Sequence, residues 1–318
     1  MSFAIALLAQ GLHLLLVLAA APLAAGLSDR IAARLAGRAG PKLAAPWRDL
    51  MRLWRKQSVF AEAASGVFEV APGLAFAATL LAAAFVPSFA LGMAAAPVGD
   101  VLVVAGLLLL ARVVLALAAL ESGTALGGIG ASRSLALAAF TEPALPLALL
   151  PLALLVGTTN LDVMAGVLRE GTLGLRAPLL LAICCAGVVA VTRLSRDAAP
   201  ATTPFGEAAM TEDALAQEYG GRHLALLQWG TALRRLVWLS LLADLAAPFG
   251  LADAGAGPLW WLLGAALWAI KIAALTLALS LWQAARAGRP GRLEDAFGLA
   301  LLLGLLAAAL LFAGQGAA

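Results

Sequence analysis

The residues of this chain able to do chemistry are ionisable side chains set among long apolar runs. Arg112 stands near the middle of VLVVAGLLLLARVVLALAAL, Glu121 ends that run, and Arg133 and Glu142 follow within the next 21 residues. Arg234, Arg235 and Asp244 interrupt a later apolar run, and Lys271 is central in the one after it. An ionised group at bilayer depth costs at least about 2.5–3.5 kcal/mol on insertion scales, so it turns to protein or to water and marks a path for ions or protons. Desolvation and a neighbouring cation pull the proton affinity of a carboxylate in opposite directions, and that competition lets such a group exchange protons near neutrality. Arg112, Glu121, Arg133, Glu142, Asp244 and Lys271 are therefore the candidate polar path. The competing reading is a set of static ion pairs that hold helices together. Arg234 and Arg235 lie about 100° apart on a helix, so the expectation is one interior side chain and one that snorkels to the interface.

Between these charges lies ESGTALGGIGASRSLALAAFTE, residues 121–142, with Gly123, Gly127, Gly128 and Gly130. It reads as a break in helical structure. Irregular backbone at membrane depth must be buried in protein or line a wet cavity, which places this stretch at the working centre. The glycines follow an apolar span rather than a strand and lack GK[ST], which excludes a nucleotide loop.

The chain that must position these groups has 318 residues, 63% hydrophobic and 12% charged. That balance excludes a soluble globular domain and indicates an all-α polytopic membrane protein, one membrane domain over residues 1–318. Cys184 and Cys185 are adjacent, and no Cys or His spacing suits zinc, haem or an iron–sulfur cluster, so any redox centre is expected in another chain. The first 27 residues lack a basic leader and a convincing cleavage site, so they read as a retained span. At about 20 apolar residues per crossing, eight spans are expected, near 3–27, 71–95, 101–120, 134–157, 176–192, 223–247, 258–283 and 296–314. Pro72, Pro87, Pro143, Pro146 and Pro151 fall in or near them as kinks.

Most of the 21 Lys and Arg residues fall in loops on one side, at about 28–70, 121–133, 193–222 and 284–295. By the positive-inside rule those loops are cytoplasmic and both termini periplasmic, in a bacterial inner membrane. In the first loop, PWRDLMRLWRKQ places Trp47, Leu50, Met51 and Trp54 at helical spacing with cations on the other faces. That predicts a short interfacial helix, tryptophans toward lipid and cations near phosphates. In the loop 193–222 a short helix is expected over Met210–Tyr219, with Thr211 as N-cap. His13, alone in span 1, reads as a hydrogen-bonded packing residue. A cation run pinned between two spans does not suit nucleic acid.

Several segments then match one family. GRAGPKLAAPWRDLMRLWRKQSV (37–59) resembles the loop after the first span of respiratory complex I subunit 1, and more closely its relatives in formate hydrogenlyase and hydrogenase-4. ESGTALGGIGASR (121–133), TEP (141–143) and EYGGRHLALLQW (218–229) are similar to that hydrogenase branch. The resemblance covers about residues 20–285 and agrees with eight spans. It implies a non-catalytic subunit that anchors a soluble redox arm and couples it to proton or sodium movement. The implied partners are hydrogenase large- and small-subunit-like proteins, a ferredoxin-like subunit and antiporter-like membrane subunits. The [NiFe] centre and iron–sulfur clusters would belong to those partners. The resemblance also implies a cytoplasmic docking or quinone-like face comprising Asp49, Arg52, Glu207, Glu212, Asp213, Glu218, Tyr219 and Arg222. PFG (204–206) replaces the PFD motif of complex I, and the acids after it are spaced differently. That favours the hydrogenase branch over a quinone-reducing oxidoreductase, the alternative reading, in which a quinone would bind. A stand-alone secondary transporter ranks below both, since there is one glycine-rich break and no matching second.

Overall fold

The computed structural model describes residues 3–58, 65–141, 144–170 and 209–286, with a few positions between 302 and 309. The spans expected at 176–192 and 296–314, together with Glu142 and Glu207, lie outside the described residues.

The described chain is helical. Its elements are α1 (Phe3–Leu35), α2 (Ala45–Trp54), α3 (Gly66–Phe85), α4 (Val101–Glu121), α5 (Ala125–Thr141), α6 (Ala144–Val156), α7 (Leu161–Glu170), α8 (Ala209–Glu218), α9 (Gly221–Ala246) and α10 (Pro258–Arg286). Four of them, α1, α3, α4 and α10, are long and apolar enough to cross a bilayer. At 26 residues α9 is long enough as well, about 39 Å at 1.5 Å per residue, but its three arginines and its aspartate take it out of that apolar class. It lies at the centre of the bundle, packed on α1, α2, α3 and α10. Leu233, Leu236, Leu239 and Trp238 from α9 are buried in the main core beside Val17, Val104 and Ile272.

Two prolines inside α1 and α3 are compensated from far along the chain. Proline has no N–H to donate to the carbonyl four residues before it. Pro22 thus leaves the Leu18 carbonyl without its helical donor, and the Trp229 indole N–H donates to it at 3.2 Å. Pro72 does the same to Phe68, whose carbonyl accepts from the Tyr219 hydroxyl at 2.6 Å. Trp47 of α2 adds a bond to the neighbouring Ala19 carbonyl at 3.1 Å. Trp229, packed on Trp47 of α2 and Phe76 of α3, and Tyr219, stacked on Phe68, therefore double as replacement donors.

On the face away from the basic loops, residues 86–100 and 247–257 close over the bundle. β1 (Ala90–Leu91) and β2 (Ala252–Asp253) pair in parallel, Ala90 with Ala252 and Leu91 with Asp253. Asp100 caps α4 through Leu102 N at 2.7 Å and also accepts from Thr159 Oγ1. Asn160 Oδ1 caps α7 through Asp162 N at 3.0 Å.

Two sequence expectations are corrected. The glycine-rich stretch is not an irregular break: after a turn at Ser122–Thr124, with Gly123 at φ +65°, residues 125–141 are the helix α5. The glycines serve close packing, because a Cβ at Gly127 would collide with the Ala119 carbonyl oxygen, and small residues let membrane helices approach. The span expected at 134–157 takes in the end of α5 and the whole of α6, and Glu142 and Pro143 between them lie outside the described residues. Thr211 is not an N-cap; α8 begins two residues earlier, and the Thr211 side chain is buried inside it. His13 bonds through both ring nitrogens, Nε2 to the Ala83 carbonyl at 2.9 Å and Nδ1 with Ser88 Oγ at 2.6 Å, which is the packing role its sequence context suggests.

Candidate ion-coupling site

The polar groups of the interior are organised along α9, which turns its three buried charged side chains toward three different neighbours. Arg234 lies 13 residues into the helix, about 20 Å from its start, and is 6% exposed. Its guanidinium donates to Glu212 of α8, whose other oxygen accepts from Thr231 Oγ1 at 3.0 Å. Arg235, 8% exposed, turns instead to α1 and donates to Ser28 Oγ at 2.7 Å, within electrostatic reach of Asp29. Neither arginine snorkels, contrary to the expectation for one of them. Each meets a polar partner offered by an adjoining helix, so the 100° between them is used rather than wasted.

Ten residues beyond Arg234, Asp244 is 5% exposed, and neither of its carboxylate oxygens has a hydrogen-bond partner among the described residues. The cation nearest to it in effect is Lys271 of α10, which attracts it electrostatically. Lys271 is committed elsewhere, however. Its ammonium donates to the Ala247 carbonyl at 2.5 Å and to the Phe249 carbonyl, capping the end of α9, with the Phe249 ring 4.7 Å away. Asp244 is also within electrostatic reach of Asp162, at the start of α7. Both Asp162 oxygens accept from Gly92 N, at 3.0 and 3.1 Å. Burial pushes the Asp162 carboxyl above its usual range, while that N–H and Arg169 oppose the shift. Arg169 in turn pairs with Asp253 at 3.0 Å and donates to the Leu251 carbonyl. Ionisable groups thus extend from Asp244 to the loop face at β2.

At the opposite end the site meets the basic loops. Glu121 closes α4 and accepts from Ser65 N, at the cap of α3, at 2.6 Å. Tyr219 is 3% exposed and stacked on Phe68 with ring centroids 4.3 Å apart. Burial, and then the Glu121 carboxylate, push the Tyr219 phenol upward, so it stays a hydrogen-bond donor at all working pH values. We expect Tyr219→Phe, which removes the hydroxyl donor to the Phe68 carbonyl, to lower stability by about 1–2 kcal/mol, read as a fall in thermal midpoint.

The remaining candidates are placed as follows. Arg112 is half-buried in α4, Arg133 lies in α5 and Asp213 in α8. Asp49 and Arg52 form an exposed pair at 3.2 Å on α2, a type worth little to stability. Glu218 and Arg222 are exposed. The structure therefore joins residues that the sequence put in separate groups: Glu212, assigned to the docking loop, meets the span arginine Arg234. It adds Ser28, Asp29, Thr231, Asp162, Arg169 and Asp253, which the sequence reading did not single out. Asp29 and Asp162 carry no local pattern that announces them, since each earns its place from residues more than 60 positions away. Among the described residues, no three His, Cys, Asp or Glu side chains converge as a metal site would require.

Comparison with known proteins bears on this geometry. The sequence matches the family described as NADH dehydrogenase over residues 8–313. It is 34% identical to hydrogenase-4 component C of Escherichia coli strain K12 over 248 residues, 77% of this chain and 76% of that one. It is 30% identical to formate hydrogenlyase subunit 4 of the same organism over 239 residues, 74% of this chain and 76% of that one. Among solved structures, a chain of the membrane-bound sulfane sulfur reductase, an archaeal respiratory membrane complex, shares the fold with a TM-score of 0.73. That match has 20% identity and covers 95% of this chain and 98% of the other.

Proposed function

The chain belongs to the NADH dehydrogenase family, and from that premise we propose that it is a membrane subunit of a complex I-like energy-converting [NiFe] hydrogenase of the formate hydrogenlyase or hydrogenase-4 type. In this reading it crosses a bacterial inner membrane several times, with the basic loops cytoplasmic and both termini periplasmic. It anchors a soluble redox arm and couples electron transfer there to proton or sodium movement. The [NiFe] centre and iron–sulfur clusters belong to hydrogenase large- and small-subunit-like partners and a ferredoxin-like subunit, and antiporter-like subunits adjoin it in the membrane. The names of two relatives covering three quarters of the chain support this assignment.

The observation that carries the coupling role is the ion pair between Glu212 and Arg234. Glu212 belongs to a short helix in a basic-side loop, where a soluble partner would dock, while Arg234 is buried far inside α9. A displacement of α8 changes the charge surrounding Arg234, and α9 is the element that also carries Arg235 and Asp244. Three charges on three faces do not make a single wire. They make α9 a rod whose position alters three polar contacts together, and demonstrated coupling rather than spatial sequence is what tests such a device. Arg112, Glu121, Arg133 and Glu142 supply the cytoplasmic half of the path in this reading, and Asp244 and Lys271 the outer half.

A tagged full-length chain, solubilised from its native membrane, is expected to copurify with a [NiFe] large-subunit-like protein, a small iron–sulfur subunit and antiporter-like membrane subunits. Recovery as a stable lone monomer, with ion transport of its own in liposomes, would replace this reading with the transporter. Copurification with bound quinone and no hydrogenase subunit would replace it with the quinone oxidoreductase.

A further inference from the structure

Helix α2 divides its surface three ways. Leu50 and Leu53 are buried against Ala225, Leu224 and Trp229 of α9. Away from that contact, Ala44, Trp47, Arg48, Met51, Arg52 and Arg55 line one open groove. Their spacing puts them on a single stripe, since residues three and four apart are neighbours on a helix surface. Met51 is 58% exposed in it, between Leu43 and Trp54, which are exposed as well.

The depth of the groove explains the combination. The Trp47 indole is bonded to the Ala19 carbonyl, and Ala19 lies well inside the apolar stretch of α1 rather than at its basic end. Trp47 is held further by an edge contact to Trp229, with ring centroids 5.6 Å apart. The apolar wall of the groove is therefore fixed at the border of the hydrocarbon, and the arginines rise from it. Asp49 engages Arg52, while Arg48 and Arg55 meet no carboxylate among the described residues. Two unneutralised guanidiniums above an exposed thioether and an aromatic wall are complementary to one molecule bearing both a phosphate and an acyl chain.

We propose that this groove is a binding site for an anionic phospholipid, its phosphate held by Arg48 and Arg55 with Arg52 beside them, and its acyl chain against Trp47 and Met51. Guanidinium suits phosphate through paired, planar hydrogen bonds. The site is separate from the coupling residues of α9, and it ties α2 to the membrane surface through a bound molecule as well as through burial.

The test is native mass spectrometry of the full chain in detergent, titrated with phosphatidylglycerol and with phosphatidylcholine of identical acyl chains. The wild type is expected to bind phosphatidylglycerol at least about tenfold more tightly, at the usual contribution of each interfacial arginine. Arg48→Gln with Arg55→Gln, both exposed positions, is expected to erase that difference while phosphatidylcholine binding stays as it was. Met51→Glu keeps all three arginines and is expected to weaken binding of both lipids. Absence of headgroup discrimination in the wild type, or discrimination that survives in the double variant, overturns the proposal. So does displacement of phosphatidylglycerol by inorganic phosphate at comparable concentration, or indifference to Met51→Glu, either of which would mean a bare anion site.

Discussion

Replacing Arg234 by glutamine in the assembled complex should abolish ion translocation and lower stability by about 2–3 kcal/mol. Removing one member of a buried pair usually costs about 3–5 kcal/mol, because the other charge is left uncompensated. Here the surviving Glu212 side chain is 23% exposed and keeps its bond from Thr231, so water and that hydroxyl recover part of the loss. The double replacement Glu212→Gln with Arg234→Gln removes both charges and should restore most of the stability, read as the thermal midpoint of the purified complex. It should not restore coupling, read as ion uptake per hydrogen turned over in proteoliposomes. That separation is the point of the experiment. A double variant that regains both stability and pumping would reduce the pair to a structural bolt between α8 and α9.

The second large effect is expected at Asp244, and it has the opposite profile. A buried carboxylate whose two oxygens lack hydrogen-bond donors among the described residues is a liability to the fold, because an unpaired polar group in an apolar setting costs free energy. Asp244→Asn keeps the shape and discards the acid, so stability should stay within about 1 kcal/mol of wild type or rise. Ion translocation should nevertheless fall tenfold or more, since a side chain that cannot gain or lose a proton breaks the link between α9 and the Lys271, Asp162 and Arg169 groups beyond it. If Asp244→Asn instead loses several kcal/mol and the assembled remainder pumps normally, Asp244 is a counter-ion for Lys271 and has no part in coupling.

What the sequence disclosed, and what it did not, follows from the range of the forces involved. Helices α1, α3, α4 and α10 were legible because an apolar run of sufficient length is a local property; α4 and α10 match within three residues, whereas α1 runs eight past its expected end and α3 stops ten short of its own. The α2 helix was legible from the spacing of Trp47, Leu50, Met51 and Trp54, although Leu50 and Leu53, not the tryptophans, carry its burial. The glycine-rich stretch misled because glycine marks both turns and close helix contacts, and only the proximity of Ala119 to Gly127 decides between them. The β1–β2 pairing is two residues long, too short to leave a period. The candidate site was legible as a set of charges and illegible as a set of contacts: Glu212 and Arg234 are 22 positions apart on different helices, and nothing in either neighbourhood names the other. The same holds for Arg235, whose hydroxyl partner Ser28 is 207 positions away.

The proline-compensating donors have a consequence for biogenesis. Helices α1 and α3 emerge from the ribosome early, each with one carbonyl that its own proline has deprived of a donor. The groups that satisfy those carbonyls arrive 211 residues later for Leu18 and 151 later for Phe68. In hydrocarbon an unanswered acceptor costs several kcal/mol, so α1 enters the bilayer with its Leu18 carbonyl unfinished until Trp229 is delivered, while Phe68, at the loop end of α3, waits for Tyr219. The segment that would receive the soluble arm is thereby the keystone of insertion, and a chain truncated before it would leave its first helices open to rejection by quality control.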